Sequence, residues 1–243
     1  MSPVTSVTAA LALTALLGGT NVALADPIVV GRPGDGGNCF PFGCGRLFGN
    51  TEPPATRYQQ IYDSNNFTGP IAIREIEFYR GELSQAPGVL NTGTYNFYLS
   101  TTTRSVGGLD TMNFDSNVGP DRALFATFVF NDGLAPDVLS FAGVPFSYDP
   151  RAGNLLLDIV IPGGAHHGGQ SAAYYDARNG SAGALFSRAH DFGGGFAGYG
   201  LVTGFNGPGG PPPVPEPASI LLVGGGLALI VRRGRRRAAL STP

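Results

Sequence analysis

Short runs in which apolar and polar residues alternate fill the chain from Arg57 onward, and each run ends at a cluster of Gly, Pro, Asn or Asp. Alternation with a period of two is typical of a β-strand that has one buried face. The run from Leu155 to Ile161 is the most regular, with its odd-numbered apolar residues on one face and Asp158 on the other. We therefore predict a central strand at this position, with the odd-numbered residues in the core.

A second run shows a change of phase. Ile71 and Ile73 share one face, whereas Ile76 and Phe78 continue the apolar pattern one residue out of step. An extra residue in one strand of an antiparallel pair produces such a shift. The pattern therefore predicts a β-bulge near Arg74-Glu75.

The whole series of runs indicates an all-β fold. The dense apolar run from Leu124 to Phe130 predicts a strand buried on both faces. About eight to ten short strands without a convincing amphipathic helix predict an antiparallel β-sandwich of jelly-roll type. We assign this domain to residues 57–206, and we expect the Gly/Pro-rich residues 26–56 before it to form a loosely ordered arm.

Composition narrows the classes of partner. The chain contains 38 glycines and 20 prolines, which favour turns, and all 15 of its basic residues are arginine. Between Asp26 and Val214, ten arginines stand against sixteen acidic residues, a formal net charge of about −6. An acidic domain without basic clusters is a poor partner for nucleic acid, and we expect none.

The beginning of the sequence predicts export. Ala9 to Leu17 is an apolar segment, and Ala23-Leu24-Ala25 supplies small residues before Asp26. These features are typical of a secretory signal peptide over residues 1–25, cleaved between Ala25 and Asp26. The pattern departs from the usual one because no Lys or Arg precedes the apolar segment.

Residues 207–243 have three parts: a Pro/Gly-rich linker over 207–217, an apolar segment over 218–231 and a basic tail over 232–243. The twelve uncharged residues from Ile220 to Val231 would form a helix of about 18 Å, against a hydrocarbon core of about 30 Å. We expect a short anchor helix, held by arginines that stay in the cytoplasm. The stop-transfer residues are Arg232, Arg233, Arg235, Arg236 and Arg237.

The residues Val214, Pro215, Glu216, Pro217, Ala218 and Ser219, followed by the apolar segment and the arginines, resemble the PEP-CTERM signal of exported bacterial proteins. The resemblance implies an exosortase-type processing enzyme as a partner. It also implies a transient tether to the inner membrane, followed by delivery to the cell surface or extracellular matrix. It covers about the last tenth of the sequence, so it implies nothing about the activity of residues 57–206. A buried core helix followed by a basic tail is the alternative interpretation.

Two cysteines, Cys39 and Cys44, lie close together in the arm. In an oxidising compartment, neighbouring cysteines most simply form a disulfide that closes a tight loop. Free or intermolecular thiols remain the alternative.

Two glutamates are candidate catalytic residues. Glu75 and Glu77 would face the same way on a strand, about 6.5 to 7 Å apart, a spacing that overlaps that of inverting glycosidases. A Glu-rich strand also resembles those of jelly-roll glucan hydrolases, but the next acid, Glu82, follows a glycine turn. We therefore favour a solvated strand face flanked by Arg74 and Arg80, and a catalytic pair is the alternative. We predict that the protein is not an enzyme, and we assign no catalytic residue.

Metal-binding residue types are present without a recognisable motif. His166 and His167, together with His190 and Asp191, could bind zinc or copper, but glycine-rich loops surround the first pair. We expect exposed loop histidines and no metal site. Calcium is the one cofactor for which oxygen ligands are available, and we expect no cofactor otherwise. The acidic and amide residues in question are Asp115, Asn117, Asp121, Asp132 and Asp137.

These observations favour an exported structural or adhesive protein of the cell envelope or exopolysaccharide matrix, with an exopolysaccharide as a further partner. The first alternative is a glycan-binding module that presents Tyr79, Tyr98, Tyr174 and Tyr175. The second is a glycan-active hydrolase that uses Glu75 and Glu77.

Overall fold

The computed structural model of the protein describes residues 28–32, 36–47, 56–80, 88–179, 185–191 and 199–206. The described chain consists of strands, turns and two short 3-10 helices, Ser64–Asn66 and Phe114–Asn117. The strands are β1 (Ile28–Val30), β2 (Gly37–Asn38), β3 (Arg46–Leu47), β4 (Arg57–Tyr62), β5 (Ile71–Tyr79), β6 (Gly93–Thr102), β7 (Ala123–Phe130), β8 (Val138–Tyr148), β9 (Asn154–Val160), β10 (His166–His167), β11 (Tyr175–Asn179), β12 (Phe186–His190), β13 (Tyr199–Leu201) and β14 (Thr203–Phe205).

Two antiparallel sheets form the sandwich. The four-stranded sheet has the order β1-β14-β5-β8, and the five-stranded sheet has the order β12-β4-β9-β6-β7. Without β12, the second order becomes β4-β9-β6-β7, and the eight remaining strands have the connectivity of a jelly roll. The predicted fold class is therefore confirmed, with β12 added beside β4. Smaller ladders join β10 to β3 and β13 to β11 and β2.

Strand β9 lies at the centre of the five-stranded sheet, as predicted, between β4 and β6. Leu155, Leu157, Ile159 and the following Ile161 are completely buried and belong to the core. The side chain of Asp158 alternates with them and points to the outer face of the sheet. The period-two pattern thus gave the correct register for this central strand.

The predicted bulge is also confirmed, because the pairing of β5 with β8 shifts between Ile73 and Glu75. The prediction for β7 was wrong. This strand is an edge strand, and its outer face leaves Leu124 and Val129 exposed. A continuous apolar run looks the same in sequence whether its second face is covered or left open.

The core between the sheets is rich in aromatic rings, and Phe42 lies at its centre, completely buried. Phe42 belongs to the loop closed by the Cys39–Cys44 disulfide, which is present as predicted. The described part of the arm is therefore not loosely ordered. The Phe42 ring packs between the two sheets because the tight disulfide loop directs it inward. The rings within 5.0 to 6.3 Å of Phe42 belong to Phe78, Tyr95, Phe97, Phe130, Phe141 and Tyr175.

Candidate functional site

The outer face of the five-stranded sheet carries a charged cluster around Asp158, which is almost completely buried. The Arg57 guanidinium donates to both Asp158 carboxylate oxygens, at 2.8 and 3.0 Å. Arg122 donates to the same carboxylate at 3.1 and 3.2 Å, and its guanidinium stacks over the ring of Tyr98 at 3.5 Å. Burial acts to lower the pKa of Arg57, but the hydrogen bonds and charges of Asp158 and then Asp115 outweigh it and raise this pKa.

The loop of residues 103–122 covers this cluster. The buried Asn117 amide donates to Gln59 Oε1 at 2.8 Å, and the Gln59 amide donates to the Phe114 carbonyl at 3.0 Å. Arg57 also reaches the loop through Asp115, at 2.7 Å. The cluster therefore fastens a long loop to the sheet, since each of its polar groups has a partner within the protein.

The two candidate catalytic glutamates lie on the outer face of the four-stranded sheet. Glu75 and Glu77 share that face of β5, as the alternation predicts, but they are only 5% and 3% exposed. The expectation of a solvated strand face is therefore wrong for both. The Ser140 hydroxyl donates to Glu75, and the Tyr79 hydroxyl donates to Glu77 Oε2 at 2.9 Å.

These contacts affect Tyr79 as well. Burial, together with the hydrogen bond and charge of Glu77 and the charge of Glu75, raises the pKa of Tyr79 above its usual value. Arg80, expected to flank the glutamates, pairs with Asp137 instead. The Glu75 and Glu77 carboxylates are therefore buried, and each accepts a hydrogen bond from a hydroxyl group. A glycosidase would need one carboxyl as a proton donor and another facing substrate or water.

A polar cluster that no pattern in the sequence predicts lies on the interior side of β12. Arg188 is buried, donates to Asn38 Oδ1 at 2.6 Å, and stacks over the ring of Tyr199 at 4.3 Å. His190 is also buried, with its ring parallel to that of Tyr58 at 6.3 Å. Burial, with a smaller effect of the Arg188 charge, lowers the pKa of His190 to about 4. Polar residues at alternate positions of a strand predict an exposed face, so no sequence signal marked this one.

The remaining metal-ligand candidates are dispersed or already bonded. His190 is not an exposed loop residue, and His167 is buried on β10, where its Nδ1 accepts a hydrogen bond from the Gly169 amide at 3.1 Å. Asp121 accepts a hydrogen bond from the Thr101 amide, so it ties the end of the loop of residues 103–122 to β6. In the described ranges, no three His, Cys, Asp or Glu side chains gather closely enough to hold a metal ion.

The four tyrosines proposed as a glycan platform do not share a surface. Tyr175 is buried in the core, and Tyr79 and Tyr98 lie on the outer faces of different sheets. Tyr174 is exposed. The ring of Tyr98 is already covered by the Arg122 guanidinium, which stacks over it. A shallow groove of about 270 Å³ lies where the start of β5 meets the end of β8. It is lined by Pro70, Ile71, Ala72, Ser147, Tyr148 and Asp149.

The signal-cleavage residues Ala25 and Asp26, the sorting residues 214–219 and the five stop-transfer arginines lie outside the described residues. Within the part that the structure describes, no helix has both the length and the apolar composition needed to cross a bilayer.

Comparison with known proteins bears on that C-terminal region. Residues 213–237 match the family model of the PEP-CTERM protein-sorting motif. No curated protein and no solved structure matches the chain. The chain therefore carries a PEP-CTERM sorting motif, which marks an exported protein that is sorted by exosortase and processed at the membrane.

Proposed function

We propose that this exported protein is a structural or adhesive element of the cell envelope or exopolysaccharide matrix. The observation that carries the proposal is a PEP-CTERM sorting motif that begins eight residues after the last strand of an acidic jelly-roll domain. The polar clusters on both outer faces support it, because they fasten loops and strands to one another. The proposal includes no catalytic step and no cofactor.

Delivery to the surface requires that the tail be processed. We place the cut in or near Val214 to Pro217, with loss of residues 220–243. The reason is that a glycine-interrupted segment of about 18 Å is too short to be a comfortable permanent span. The Pro-rich linker favours extended backbone, which holds the folded domain away from the membrane.

Processing is tested by mass spectrometry of the surface fraction from producing cells. The wild-type protein should lack residues 220–243, whereas Glu216→Ala should leave a full-length form in the inner membrane. Glu82→Ala is the matched control and should be processed normally. An intact C-terminus on correctly located wild-type protein would contradict the proposal.

The structural role is tested in a deletion strain that is complemented with two forms of the gene. Wild-type protein should restore cohesion and polysaccharide retention of the matrix. A form that ends after residue 210 should be secreted without restoring either property, because it lacks the sorting motif. If deletion leaves both matrix properties unchanged, the structural role is wrong, whereas the processing result can still stand.

A further inference from the structure

The loop of residues 103–122 lies on the five-stranded sheet without an apolar anchor. None of its apolar side chains belongs to the hydrophobic core or packs against it, and its two buried residues are Asn117 and Gly119. A segment that buries few apolar groups opens at a lower free energy than the whole domain. Such a loop can lift from the sheet while the sandwich stays folded.

The groups that lie under the loop are hydrogen-bonding groups of three strands. Ser187 Oγ on β12 accepts from the Gly107 amide at 2.7 Å, and Ser100 Oγ on β6 accepts from the Gly119 amide at 3.2 Å. The Gln59 side chain on β4 is completely buried, and it both donates to the loop and accepts from it. When the loop lifts, these three side chains become available to the hydroxyl groups of another molecule.

The loop also supplies one charge to the sheet. Arg57 and Arg122 share the single carboxylate of Asp158, so two positive charges face one negative charge. Asp115 of the loop pairs with Arg57 Nη1 at 2.7 Å, and its side chain is 84% exposed. The hydrogen bond and the charge of Arg57 lower the pKa of Asp115, which is therefore ionised at neutral pH. Asp115 thus occupies, at the surface, a position that fits an external carboxylate.

We propose that the loop is a lid that Asp115 holds closed over a glycan-binding site, and that the ligand is a polysaccharide with isolated uronic acid residues. The ligand carboxylate takes the place of Asp115 on Arg57 Nη1, while Nε and Nη2 of Arg57 stay bonded to Asp158. The hydroxyl groups of the sugars take the place of the loop on Gln59, Ser100 and Ser187.

The contacts of the loop identify this class of ligand. They combine one carboxylate with several neutral hydrogen bonds, and they include no buried apolar side chain that a peptide would replace. The domain is acidic, so it repels a polymer of high charge density, whereas widely spaced carboxylates limit that repulsion. The inference rests on the proposed function, because it identifies the exopolysaccharide partner by its chemistry.

Isothermal titration calorimetry of the full chain in mild detergent tests the proposal, with hyaluronan oligosaccharides as a probe that carries one carboxylate per disaccharide. Asp115→Ala removes the internal competitor, so it should lower the dissociation constant at least about tenfold relative to the wild type. The matched control is Asp137→Ala, because Asp137 is 80% exposed and pairs with Arg80 outside the loop. It removes the same charge and should leave the dissociation constant unchanged.

Two further measurements separate the charge from the lid. Hyaluronan oligosaccharides whose carboxyl groups have been reduced should bind neither the wild type nor Asp115→Ala. Hydrogen exchange in the loop should be faster in Asp115→Ala than in the wild type, while the thermal unfolding curve stays the same. Exchange that is no faster would contradict the role of Asp115 in closing the lid.

Three results of the titrations would overturn the proposal. Asp115→Ala does not bind more tightly than the wild type, Asp137→Ala gains as much affinity, or the carboxyl-reduced probe binds equally well. A wild-type chain that binds neither probe but restores cohesion of the matrix would overturn this inference and leave the proposed function intact.

Discussion

The two outer faces of the sandwich bury carboxylates in different ways. On the five-stranded sheet, Asp158 is held by Arg57 and Arg122, so its charge is compensated. On the four-stranded sheet, Glu75 and Glu77 accept hydrogen bonds from hydroxyl groups, and neither forms an ion pair with any described residue. Equally buried acidic residues therefore need not contribute equally to the free energy of unfolding. The loss of stability on removing an acid depends on whether its former partners are left buried and unpaired.

A substitution on the interior face of β9 should lower the free energy of unfolding more than any substitution on the two outer faces. Leu157→Ala removes a completely buried side chain from the central strand and leaves a cavity, so it should lower the free energy of unfolding by about 4 kcal/mol. Urea denaturation measures this loss. A loss below about 1 kcal/mol would mean that the core collapses around the site, contrary to its dense packing.

Asp158→Ala should come next, with a loss of about 3 kcal/mol, because it leaves two arginines without their shared partner. We expect the lower part of the usual range because Arg122 is partly exposed. The matched control is Asp149→Ala, which breaks the surface pair with Arg151 and should leave the free energy of unfolding nearly unchanged. Equal losses for the two variants would remove the distinction between the buried cluster and a surface pair.

The polar cluster on the interior side of β12 should differ from both outer faces in how its contribution to stability responds to acid. The pKa of His190 is lowered from 6.5 to about 4 in the folded protein, mainly by burial and then by Arg188, with Asp191 acting in the opposite direction. The unfolded chain therefore binds more protons between about pH 6.5 and pH 4, and the free energy of unfolding falls as pH is lowered through that window.

The expected loss is of the order of 2 kcal/mol, and it should be absent above the window. The difference between wild-type and His190→Phe unfolding curves, measured as a function of pH, isolates this residue from the carboxylates. A difference that does not vary between the two ends of the window would contradict the role of His190.

The glutamates of the four-stranded sheet should show the smallest effect. The double variant Glu75→Gln/Glu77→Gln keeps an acceptor oxygen for each hydroxyl and removes two buried charges. The free energy of unfolding should therefore change by less than about 1 kcal/mol, in the stabilising direction. A loss as large as that of Asp158→Ala would contradict the difference between the two outer faces.

Sequence patterns sufficed for features that depend on neighbours along the chain. The alternation from Leu155 to Ile161 predicted the central strand, the change of phase after Ile73 predicted the bulge, and the spacing of Cys39 and Cys44 predicted the disulfide. The same patterns failed where burial depends on distant residues, because one sequence does not reveal which segment covers a strand.

The failures share that cause. Asp158 meets Arg57 across about a hundred positions of sequence, and Phe42 reaches the core from a segment whose composition indicates a loose arm. The exposed outer face of β7 and the burial of His190 on β12 were both misjudged for the same reason. The sorting motif could be predicted because exosortase sorting depends on a linear segment that needs no partner elsewhere in the chain.

The pairing of β1 with β14 has a consequence for the timing of folding. Ile28 lies opposite Phe205, and β14 is also the strand that joins β1 to β5. A chain that leaves the cytoplasm N-terminus first therefore delivers β1 long before its only neighbour in that sheet arrives. Loop closure over so many residues is slow, so the four-stranded sheet cannot be completed until residues 203–205 have emerged. The jelly-roll order thus delays completion of the four-stranded sheet until the segment that directly precedes the sorting motif has emerged.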